Sequence, residues 1–237
     1  MATFSLGITC PNCRVPCAIA LPKTVLPDIL SAPSSVRRNA LSPSITHASS
    51  GAGDAVAALR HATQALHARL DSRLPLGFEN PTLADYATHL CVLRDWHQAL
   101  VPWLSRTAST AGSLTLLAQD IEDCPPCRFP AAYLQAADLA LLLQADDGSE
   151  AFCWGIAYVL EGSRLGGQVL YRRLHERLAP HPLRYLQHGT GGPSWPDTLK
   201  ALRTQLASPS SQTAACRGAV AAFELLLARF ELAGVWA

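Results

Sequence analysis

Between Phe152 and Leu174 apolar residues recur at helical spacing straight through three glycines, Gly162, Gly166 and Gly167. Phe152, Ile156, Val159 and Leu160 lead into the glycines, and Val169, Leu170 and Leu174 continue the pattern beyond them, so a simple loop is a poor reading. Each glycine inside a helix gives up roughly 1 kcal/mol relative to alanine, or about 3 kcal/mol for the three, and something must be gained in return. Gly162 and Gly166 sit four apart and share a face, with Gly167 beside them, which leaves a strip of bare backbone. Two explanations compete. One is close helix-helix packing through small residues. The other is a flat, bulky ligand lying on the strip, with backbone rather than side chains facing its centre.

The rest of the chain from Asp54 also has the helical period. Val56, Leu59, Ala62, Thr63, Leu66 and Leu70 form an apolar-to-small stripe on a first helix, with Asp54 at its start and Pro75 past its end. Thr82 is a good N-cap with Asp85 three residues on, and Leu83, Tyr86, Leu90, Leu93, His97 and Leu100 carry a second helix that Pro102 ends or bends. A third helix is predicted over Leu114 to Ile121, a fourth over Ala131 to Leu143, and a fifth from the cap Ser149 to about Leu178. Pro180, Pro182, Gly189, Gly191, Gly192 and Pro193 mark a long loop, after which Trp195 to Leu206 and Gln212 to Leu232 supply two more helices. No run alternates convincingly at period two. The expectation is an all-α domain over residues 53–237, a bundle of about seven to eight helices. Residues 1–52 are rich in Pro, Ser and Thr without helical period, and read as a mobile N-terminal extension.

Charge narrows the function classes. The net charge is +1 with acids and bases spread along the length, so no electrostatic footprint for nucleic acid or an anionic membrane is present. No apolar run approaches the roughly 18 residues needed to cross a bilayer, because Glu161 and Arg164 interrupt the richest one. No Lys or Arg precedes Arg14 and the stretch from Cys17 to Leu21 is too short for the centre of a signal peptide, so a cytoplasmic location is expected and the eight cysteines are expected to be reduced. Cys10-Pro11-Asn12-Cys13, followed by Cys17, has the spacing of half a zinc site. Its other half would be Cys124 and Cys127, which flank Pro125-Pro126; otherwise these are two unrelated sets of thiols.

Of the eight histidines, His47 lies in the extension and His181 and His188 in the long loop, where a solvent-facing or structural role is the default. His97, close to Trp96 and Trp103, reads as core. His67 has a different setting. Thr63 lies one turn before it and Asp71 one turn after, so the carboxylate can reach the same helix face as the imidazole. Such a carboxylate fixes a ring's orientation and raises its donor strength, which is how metal-bound histidines are tuned. His67 is therefore either a metal ligand or a satisfied histidine at the edge of the core.

The stretch Leu59-Arg60-His61-Ala62-Thr63-Gln64-Ala65-Leu66-His67-Ala68-Arg69-Leu70-Asp71 is followed about ninety residues later by Tyr158-Val159-Leu160-Glu161-Gly162-Ser163-Arg164-Leu165-Gly166-Gly167-Gln168-Val169. Together they resemble the haem oxygenase family, especially its bacterial biliverdin-producing branch associated with bacteriophytochromes, over about residues 55–233. The resemblance implies that His67 is the axial ligand of the haem iron, with Asp71 behind it, and that Arg60 pairs with a haem propionate. Lys200 would be a second propionate partner, near Trp195 at an aromatic position, and Thr63 would lie against the cofactor. Gly162, Gly166 and Gly167 become the glycines of the distal helix, and Phe223 and Phe230 the aromatics that wall the pocket. Ser163 stands where animal relatives carry an aspartate that organises distal water, so here the serine and that water would handle protons.

The implied reaction takes haem as both cofactor and substrate, consumes O2 and external electrons, and gives biliverdin, CO and Fe2+. No flavin or nicotinamide fingerprint is present, so a separate reductase or ferredoxin would supply the electrons and a bacteriophytochrome would accept the biliverdin. The alternative is a non-catalytic haem-binding or haem-sensing protein on the same fold, since Cys10-Pro11 and Cys124-Pro125 resemble the dipeptides of haem-responsive proteins. A third reading is an interaction bundle with no cofactor.

Overall fold

The computed structural model describes residues 54–104, 111–126, 136–187 and 194–234, and among these the chain is all-α. Its helices are α1 (Ala55–Asp71), α2 (Leu83–Leu104), α3 (Ala111–Glu122), α4 (Ala136–Ala145), α5 (Glu150–Leu174), α6 (Arg184–Gln187), α7 (Trp195–Gln205) and α8 (Pro209–Leu232), with a single 3-10 turn at Pro75–Gly77. Residues 1–52, with Cys10, Cys13, Cys17 and His47, lie outside the described residues, as do Cys127 and His188. The expected start of the fourth helix at Ala131 also falls outside them. No helix among the described residues is long and apolar enough to cross a membrane.

Local chemistry sets the helix starts. Asp54 accepts a hydrogen bond from the Val56 amide at 3.2 Å. Thr82 and Asp85 satisfy one another reciprocally, with the Thr82 amide donating to the carboxylate at 2.8 Å and the Asp85 amide donating to the threonine oxygen at 3.2 Å. Ser149 and Ser194 cap α5 and α7 by accepting from the Phe152 and Asp197 amides, and Ser208 caps α8 in a reciprocal pair with Ser211. Pro102 lies within the last turn of α2 rather than beyond it. α5 stops at Leu174, short of the expected Leu178, and the predicted loop contains the one-turn helix α6.

The core gathers around α8, against which α5, α1, α4 and α2 all pack. Trp96 of α2 donates its indole N–H to the Ala222 carbonyl at 2.9 Å, and Phe230 stacks on His89 with ring centres 5.5 Å apart. The crossing of α5 over α8 depends on two glycines outside the strip. A Cβ on Gly155 would run into the Ala215 carbonyl, and one on Gly218 into the Phe152 carbonyl. Helix-helix packing through small residues therefore occurs on α5, about two to three turns before the Gly162–Gly166 strip.

Candidate functional site

α5 beyond Ile156 presents two faces. Its inner face carries Val159, Leu160, Glu161, Arg164 and Gly167, all buried. A Cβ on Gly167 would touch Leu186 of α6 at 3.5 Å, so this glycine serves ordinary packing. Its outer face carries Tyr158, Gly162, Leu165, Gly166 and Val169 at helical spacing. Added Cβ atoms at Gly162 and Gly166 would meet nothing within 4 Å among the described residues. Leu165 and Val169 flank them with 41% and 62% of their surface exposed, so the strip is both bare and apolar. Among the described residues no neighbouring helix explains these two glycines.

α1 runs beside this face. At one end the Tyr158 hydroxyl meets the Thr63 and Arg60 side chains of α1, and its ring lies 5.8 Å from Trp195 of α7. Burial, the larger influence, raises the Tyr158 phenol above its usual pKa, and Arg60 opposes it. At the other end Arg173 of α5 donates to the carbonyls of Leu76 and Phe78, each at 2.8 Å, and Arg177 donates to that of Glu79. Residues 76–79 follow directly on α1, so the two helices run in the same direction and are tied together before and after the strip. Residues 158 to 173 span about 22 Å of helix. Between the ties α1 packs on α8 and α7 and hardly on α5. The result is an open slot with Gly162 and Gly166 on one wall.

His67 shares by helical spacing the α1 face of Arg60 and Thr63, the two residues that meet Tyr158. Its Nδ1 lies 2.8 Å from the Asp71 carboxylate, and both side chains are 63% exposed. With Nδ1 engaged, Nε2 is the nitrogen left to bind a metal. The ring rests against Phe223 of α8 at 5.9 Å between centroids. Thr63 is buried and donates to the Leu59 carbonyl at 2.9 Å, while Arg60 and Lys200 are exposed. Phe223 thus backs the His67 ring, whereas Phe230 lies in the core on His89, away from that ring.

Two further groups adjoin the slot's distal wall. Glu161 and Arg164 form an ion pair at 2.5 Å that is almost wholly buried. Burial raises the Glu161 pKa and the Arg164 charge draws it back. Ser163, next to Gly162, turns its hydroxyl inward beside Tyr185 of α6. Tyr185 itself stands out in the sequence only as an aromatic in a Pro/Gly-rich loop.

Elsewhere a cleft of about 540 Å³ opens between the start of α2 and the turn after α5, lined by residues that include Pro81, Thr82, Asp123, Arg177 and Pro182. Apart from Arg177, which ties one end of the slot, the slot residues named above do not line it. Cys124 lies 3.6 Å from His181 Nε2, and its proposed zinc partners are outside the described residues. His181 is buried and structural: its Nδ1 accepts from the Leu183 amide at 3.0 Å, so its Nε2–H donates to the Asp120 carbonyl at 3.2 Å.

Fold and site together define an all-α bundle with an open apolar slot between a histidine-bearing helix and a glycine-bearing one. A curated protein named heme oxygenase, from Xanthomonas campestris pv. campestris (strain 8004), is 38% identical to this chain over 78 residues, 32% of the chain and 47% of that relative. The match thus spans about half the length of the relative. No family model and no solved structure matches the chain.

Proposed function

We propose that the chain is a haem oxygenase that holds haem in the slot between α1 and α5 and opens it to biliverdin. The observation that carries this reading is the slot itself: His67 with Nε2 available on one side, and Gly162 and Gly166 with open space above their backbone on the other. A side chain at either glycine would occupy the place of a flat macrocycle, and Leu165 and Val169 offer it apolar cover. The 38% identity to a protein named heme oxygenase supports the same assignment.

The chain's residues divide the work. His67 binds the iron through Nε2, and Asp71 holds the ring in that tautomer and strengthens it as a donor. Iron-bound haem supplies the oxygen-activating centre and is also the molecule consumed. Gly162 and Gly166 would let the α5 backbone approach a bound macrocycle without presenting a ligating side chain, and would limit access to its edge. Arg60, at the mouth of the slot, grips a propionate by a charge-assisted hydrogen bond, with Lys200 on α7 as a second cation. These two cations would hold the propionate edge and so influence which bridge carbon is exposed to reaction. Phe223 keeps the His67 ring upright from behind. The products are biliverdin, CO and Fe2+, the electrons come from an external reductase or ferredoxin, and a bacteriophytochrome is the natural acceptor for the pigment.

Purified chain incubated with haem, O2 and a reductant is expected to develop the broad red absorption of biliverdin as the haem band decays. Haem that stays intact after many reducing equivalents would leave only a haem-binding protein, and absence of any haem band on titration would remove the slot's assignment altogether.

A further inference from the structure

α6 is a helix of four residues, too short to hold its own place, and its anchoring comes from outside. Its first hydrogen bond runs from the Gln187 amide to the Leu183 carbonyl at 2.9 Å, which puts Leu183 in the capping position. An isobutyl group cannot accept from the free amides that open a helix. Leu183 is also fully buried with a φ of +50°, a left-handed backbone that a leucine holds only when its surroundings impose it. Asp120 of α3 supplies the missing acceptor. One of its carboxylate oxygens takes the Arg184 amide at 3.1 Å and the other takes the Tyr185 amide at 2.9 Å. The Tyr86 hydroxyl of α2 and the Arg184 guanidinium also donate to it, at 2.7 and 3.2 Å. Asp120 is fully buried, and a carboxylate taken out of water demands such a set of donors.

What α6 supports in turn is the glycine-bearing part of α5. α6 packs chiefly on α5 and α3. Leu186 is buried, and a Cβ on Gly167 would sit 3.5 Å from its Cδ2 and 3.9 Å from its Cα, so α6 lies directly against α5 there. On the outer face of α5, added Cβ atoms at Gly162 and Gly166 meet no neighbour among the described residues. The crossing with α8 at Gly155 lies about three turns, or about 18 Å of helix, before Gly167. Its glycines make this the weakest length of α5, one face of it is open, and α6 presses on the other.

We propose that Asp120 is a positioning residue for the glycine wall of the slot: by capping α6 it holds Leu186 against Gly167 and so keeps α5 in place behind the open strip. That the strip faces haem rests on the reading above, whereas the link from Asp120 through α6 to α5 does not. Asp120→Asn keeps the shape but presents an amide nitrogen to one of the two backbone N–H groups, so donor meets donor and α6 loses half its cap. Leu186→Ala leaves the cap intact and removes the contact it serves.

Hydrogen exchange in the ligand-free protein tests that link. Asp120→Asn should speed exchange of the α5 amides from Ser163 to Leu170 by about tenfold or more, with those around Gly155 changed by less than about twofold. Leu186→Ala should do the same, and it decides alone if Asp120→Asn does not fold. Uniform acceleration along α5, or none, would mean that Asp120 serves overall stability only, and overturns the proposal. With haem bound, Asp120→Asn should form biliverdin about fivefold or more slowly while haem titrates with an affinity within about twofold of the unmodified chain, because His67 and Arg60 lie on α1. Turnover at the unmodified rate in a variant whose glycine amides exchange faster would overturn the positioning role, whereas an unmodified chain that takes up no haem would overturn the slot reading and leave the exchange result standing.

Discussion

His67 and Asp71 are neighbours by helical geometry, and their 2.8 Å contact is exposed, so it adds little to stability on its own account. Its value lies in the tautomer it enforces. Asp71→Asn keeps the shape and removes the charge, and is expected to weaken haem binding about 10–100-fold with unchanged helicity, the usual range for losing a partner behind a metal-bound histidine. Equal affinity, read from a titration of the haem band, would show that the carboxylate does not tune this ring. Arg60 makes a separate prediction at the same scale. Arg60→Ala should loosen the grip on a propionate and broaden the mixture of biliverdin isomers, and an unchanged single isomer, measured by chromatography, would place the propionate contacts elsewhere.

The glycines of α5 and α8 separate packing from ligand binding at the scale of the element. Gly155→Ala and Gly218→Ala push a methyl into a facing backbone carbonyl and should destabilise the fold by about 2 kcal/mol or more. Gly162→Ala meets open space and should raise the stability of the ligand-free protein by about 0.5–1 kcal/mol, since alanine is the better helix former. Urea unfolding of these variants checks both signs, and a destabilised Gly162→Ala would mean that the strip is a packing surface after all. The contrast also shows where sequence runs out. The helical run through Gly162, the caps at Thr82 and Ser149, and the spacing of His67 and Asp71 are local, within one or two turns, and so could be read directly from the chain. The Gly155–Gly218 crossing could not, because it requires the knowledge that α5 crosses α8. Nor could the knot that joins Tyr86, Asp120 and Tyr185, whose members lie on three helices and far apart in sequence. Phe223 and Phe230 are seven apart on one helix, yet one backs His67 and the other stacks in the core on His89, a difference set by which helix lies opposite each.

Over the whole molecule, two buried histidines make stability depend on pH. Burial lowers His89 to about 4 and His97 to about 3, both below the ordinary value near 6.5. Between those limits the unfolded chain binds protons that the folded chain refuses, so the contribution is fully present above about pH 6.5 and is lost as the pH falls. The loss is about 1.4 kcal/mol per pH unit for each histidine once well below that point. The urea midpoint should therefore drop between pH 6.5 and 5, before most carboxylates titrate, and a flat profile would mean that one or both rings reach solvent.

The slot depends on this same scaffold, which holds α1 and α5 apart along the strip while Tyr158, Arg173 and Arg177 tie them at its ends. The most direct test compares the absorption spectrum of ferric haem bound to the unmodified chain with that bound to His67→Ala. The prediction is a one-to-one, histidine-ligated complex in the first, its loss in the second at unchanged helicity, and its return on adding free imidazole. An identical spectrum from both proteins would show that the iron is held elsewhere.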